Sequence, residues 1–66
     1  MFMSLLDYFA PAAVRRLARE EAAYAIRLKG AGAEQELRER MHRTDSRARR
    51  RVYRLAIKAL PGLLGR

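Results

Sequence analysis

Arginine supplies most of the side chains in this 66-residue chain that could do chemistry, and its placement is uneven. Arg47, Arg50, Arg51, Arg54 and Lys58 recur at spacings of three and four, which on an α-helix collects them within about 100° of arc. Like charges at those spacings repel by about 0.2–0.5 kcal/mol per pair, and no acidic residue follows Asp45 to offset them. A polyanion would. Each guanidinium presents a planar fork that donates two hydrogen bonds at once to a phosphate, so the row fits a nucleic-acid backbone bound without regard to sequence. The same row also suits the carboxylates of an acidic protein surface, an anionic membrane surface, or plain solvation of a helix face.

The other candidates offer less. Glu21 falls in the middle of an apolar arc, where desolvation would raise a carboxyl pKa and suit it to general acid–base work; an ion pair with Arg40 or a hydrogen bond to Thr44, fixing the register of two helices, is the plainer expectation. Tyr53 and Arg49 flank the basic helix beyond its apolar side, so Tyr53 either stacks on a base or packs its ring against a neighbouring helix. His42 is the sole histidine and has no second histidine, cysteine or nearby serine with which to build a metal or catalytic site. The chain has no cysteine, which excludes disulfides and thiolate metal sites. No nucleophile, base and oxyanion-stabilising donor can be assembled from these residues, so a non-enzyme without cofactor or metal is expected.

Charge by segment sharpens the picture. Residues 1–29 carry five basic and three acidic residues, +2; residues 30–45 carry three and four, −1; residues 46–66 carry seven and none, +7. Nearly all of the net charge of +8 therefore sits in the last third. No apolar run approaches the roughly 20 residues that span a bilayer, and the N-terminus lacks the basic start of a secretory signal. A cytoplasmic location is the default expectation.

The elements that must position these side chains are helices, and the expected class is all-α. Gly30-Ala31-Gly32 is the clear break, dividing the chain into two helical halves of a single small domain spanning 1–66. Before it, Pro11 suits the first turn of a helix over about 12–29, with Val14, Leu17, Ala18, Tyr24, Ala25 and Leu28 on one face. Residues 1–10 form an apolar N-terminal segment, with a short helical turn over 5–9 that Ser4 and Asp7 cap. After the break, Glu34–Arg38, Glu36–Arg40 and Glu39–Arg43 are i,i+4 pairs in the favourable order, and Ala48, Val52, Leu55, Ala56, Ala59 and Leu60 continue the 3.6 period. Pro61-Gly62 should stop that helix near Leu60, leaving 61–66 as a short tail.

Thr44-Asp45-Ser46 divides two expectations. Local chemistry says cap and restart. Phase says continue, because Leu37, Met41 and Thr44 project onto the same face as Val52 and Leu55, and a restart would put arginines at the positive end of a new helix, at about 0.3–1 kcal/mol each. The favoured architecture is an antiparallel hairpin of helices at about 12–29 and 33–60; the alternative is three helices broken near 44–46. A two-helix hairpin leaves part of its longer stripe uncovered, so Leu37, Met41, Val52, Leu55 and Leu60 are expected to dock on a second copy or a larger assembly. Two functions follow: a small basic protein that grips nucleic-acid phosphates, or a helical adaptor or accessory subunit. Membrane-surface association stands third.

Overall fold

A computed structural model describes residues 11–65, all helix apart from a short linker and the last turn. The expected turn over 5–9, its Ser4 and Asp7 cap and the apolar segment 1–10 lie outside the described residues. Helix α1 spans Pro11–Lys29, with Pro11 at its first position, where a missing amide hydrogen costs nothing. A single 3-10 turn over Gly30–Gly32 follows. Gly30 takes φ +54°, a conformation that only a residue without Cβ adopts freely. Helix α2 then spans Ala33–Arg43, and the turn brings its Arg40 back alongside Glu21 and Tyr24 of α1.

The single long helix 33–60 does not form. Thr44 and Ser46 are extended, at φ −85°, ψ 141° and φ −82°, ψ 121°, and helix α3 starts afresh over Arg47–Leu63. In its break near 44–46 the chain follows the three-helix alternative. At the break, Thr44 and Ser46 make the caps that local chemistry favours. The Thr44 amide donates to the Arg40 carbonyl at 3.1 Å, closing α2. The Ser46 amide donates to Thr44 Oγ1 at 3.2 Å, and Ser46 Oγ accepts from the Arg49 amide at 3.1 Å as the N-cap of α3, an arrangement worth about 1 kcal/mol. Burial adds more, since an unbroken rod would leave in water the apolar side chains that the redirected α3 lays on α1 and α2.

The core is thin and rich in alanine. Val14, Ala18, Ala22 and Ala25 of α1 meet Ala33 and Leu37 of α2 and Val52, Tyr53, Ala56 and Leu60 of α3. Leu37, with no exposed surface, is the largest fully buried side chain. Of the expected docking stripe, Leu37, Val52 and Leu60 are buried in the chain's own core, and Met41 and Leu55 pack partly buried against it. The break that redirects α3 is what covers them.

The end of α3 also differs from expectation. Pro61 sits inside the helix rather than ending it; only one further turn is asked of it, and the Leu64 amide reaches the Leu60 carbonyl at 2.8 Å. Gly65, at φ +77°, then turns the chain out of the helix. No helix among the described residues is long and apolar enough to cross a membrane.

Candidate nucleic-acid interface

Core packing of α3 fixes where its cations point. Val52, Ala56 and Leu60 face inward, so the arc that carries Arg47, Arg50, Arg51, Arg54 and Lys58 is turned away from the body, and all five side chains are exposed. Four of them close around a common feature: Arg47, Ala48, Arg50, Arg51 and Arg54 line an open depression of about 460 Å³. No carboxylate borders it. Among the described residues none of the five cations is within ion-pair distance of an acid; the acids of α2 are engaged with Arg38, Arg40 and Arg43 instead. Among the described residues, the one side-chain hydrogen bond of the row is Arg50 Nη2 donating to the Thr44 carbonyl at 3.3 Å.

Lys58 stands apart from the four arginines and has other company. It borders a second depression, about 230 Å³, together with Leu55 and Ala59 of α3 and Arg15, Ala18 and Arg19 of α1. Arg15 and Arg19 were absent from the sequence-level site. Their signal was present but faint: a basic pair at i and i+4 bracketing core residue Ala18 belongs on the rim of the buried face, beside whatever packs there. Only the packing of α1 on α3 reveals that the neighbour is Lys58.

On the other side of α3 lies a different kind of surface. Glu36, Arg40, Arg43, Thr44, Arg49 and Tyr53 line a shallow depression of about 530 Å³. Tyr53 is 8% exposed and belongs to the core, so its ring is a packing element and is not free to receive a base. Arg40 organises this side. Its Nε donates to Glu36 Oε2 at 2.7 Å, its Nη1 lies 3.9 Å from Glu21 Oε2, and its guanidinium sits 5.4 Å from the centre of the Tyr24 ring. The hydrogen bond from Arg40 holds the Glu36 carboxyl below the usual carboxylate range, with the Arg40 charge acting in the same direction. The same bond raises the Arg40 pKa above its ordinary value.

Glu21 meets Arg40 as the helix register required. At 3.9 Å the pair is loose, and Glu21 Oε2 is buried without a hydrogen-bond partner among the described residues. His42 is exposed, and no group of three or more metal-ligating side chains converges among the described residues. No family model matches the chain, and no curated protein and no solved structure is detectably similar to it.

Proposed function

We propose that the protein binds nucleic acid through its phosphate backbone, using Arg47, Arg50, Arg51, Arg54 and Lys58 on the outer face of α3. One observation carries this reading. Four arginines line a single depression with no carboxylate on its border, while the acids of α2 are engaged with Arg38, Arg40 and Arg43. The arrangement is costly for the free protein, because α3 begins with arginines and has no acid in its first turn, where the helix dipole disfavours cations. A phosphate chain removes that cost and accepts the paired hydrogen bonds a guanidinium offers. The row is assigned to phosphates, which position a protein without carrying sequence information, so binding without regard to sequence is expected.

The test replaces Arg47, Arg50, Arg51 and Arg54 together with Gln and measures the mobility shift of a labelled nucleic acid at low salt. The expected result is a loss of affinity of about a hundredfold or more, since each phosphate contact contributes through counterion release. Unchanged affinity refutes the assignment.

A second reading, an adaptor or accessory subunit that docks on a larger protein or on a second copy, rests on Tyr24 and Leu28. These stand one turn apart on α1 and are 43% and 50% exposed. Salt separates the two: an apolar contact responds little to it, whereas five phosphate contacts give a slope of log K against log salt of about −4 on DNA.

A further inference from the structure

The basic surface does not end with α3. Arg15 and Arg19 of α1 share a depression with Lys58, on the flank of α3 that leads on from Arg51 and Leu55. The four-arginine depression and this second one are therefore successive stations along one face, the first built by α3 alone and the second by α1 and α3 together. From Arg47 to Lys58 the row extends about 16 Å along the helix axis, at 1.5 Å per residue. Over such a length a nucleic-acid duplex presents about ten phosphate charges, at one per 1.7 Å.

The chemistry of the face also discriminates between polymers. Proteins that hold single strands combine a basic groove with aromatic rings on which bases stack. Among the described residues the aromatic side chains are elsewhere: Tyr53 is in the core, and Tyr24 lies beside the Arg27 and Arg40 guanidiniums. Among the described residues the face thus sets its cations beside aliphatic side chains such as Leu55 and Ala59, with no aromatic ring, on two packed helices. A rigid ligand with closely spaced charges gains most from such a surface, because a flexible strand must first be ordered.

Building on the function proposed above, we infer that the ligand is a double-stranded nucleic acid, held by phosphates at two stations, with Arg15 and Arg19 of α1 as binding residues alongside the row on α3. The experiment titrates the full chain with a 20-base-pair DNA duplex and with one of its strands alone, across a range of salt, for the native protein and for Arg15→Gln/Arg19→Gln.

The expected result is tighter binding of the duplex, with a slope of log K against log salt of about −6 for seven contacts. The double variant should show a slope shallower by about 2. Equal or tighter binding of the single strand overturns the duplex assignment and leaves the phosphate-binding function standing. A slope that the double variant does not change overturns the second station. Absence of binding to either polymer overturns the function itself. Circular dichroism of the double variant, with helix content equal to the native chain, separates a lost contact from a lost fold.

Discussion

Arg40 is the residue on which the most interactions converge, and its partners define what it contributes. Glu36 takes its Nε at 2.7 Å, Glu21 lies at 3.9 Å, and the Tyr24 ring lies below the guanidinium. Removing it strands a carboxylate oxygen of Glu21 that is already buried without a hydrogen bond. Arg40→Ala should therefore destabilise the fold by about 1 kcal/mol, more than an exposed ion pair would, as read by urea denaturation. Arg38→Ala, which breaks the wholly exposed pair with Glu34, should cost a few tenths at most, about 0.3 kcal/mol. The Glu36 carboxyl supplies a pH signature. Its folded pKa lies below the unfolded value because Arg40 hydrogen-bonds its charged form. The contribution is thus complete above the usual carboxylate range and is lost as pH falls through the folded value. Thermal melts should show a midpoint that drops between about pH 5 and pH 3, and Glu36→Gln should flatten part of that drop.

At the scale of elements, the break at 44–46 decides the architecture. Ser46→Ala removes the oxygen that accepts the Arg49 amide and should cost about 1 kcal/mol, while Ser46→Asp should retain the cap and gain from the arginines behind it. Unchanged stability in Ser46→Ala would contradict the contribution of the cap. The sequence made both outcomes visible. Capping chemistry at Thr44 and Ser46 is local and was readable; what decided the contest was not, because the gain from laying Val52, Ala56 and Leu60 on α1 is a long-range packing term. Helical phase shows one continuous stripe and carries no information on a chain that folds back to cover it. The three Glu–Arg pairs of α2 and the Glu21–Arg40 meeting were legible because helix geometry fixes the first and the length of the glycine turn fixes the second. Pro61 was misread for a simple reason: a proline one turn from a helix end has little helix left to disrupt.

The molecule as a whole is small, with extents of 40 × 24 × 15 Å, and it places cations of two helices along one face. The five cations of α3 were legible from spacing, since one helical period collects them whether or not the helix is continuous. Arg15 and Arg19 were not, because their place beside Lys58 depends on how α1 packs. This distribution of charge predicts a trade between stability and binding. With Arg47, Arg50, Arg51 and Arg54 all replaced by Gln, the repulsion and the unfavourable helix-dipole term are reduced, so the free variant should melt at or above the native temperature in low salt. Adding a duplex should raise the native melting temperature by mass action and raise that of the variant by less. The most direct test of the central claim is the salt dependence of duplex binding, followed by the fluorescence anisotropy of a labelled DNA. The expected result is a steep linear fall of log K with log salt for the native chain and a clearly shallower one, with a slope of about −3 from Arg15, Arg19 and Lys58, for the four-Gln variant; equal slopes for the two proteins would contradict it.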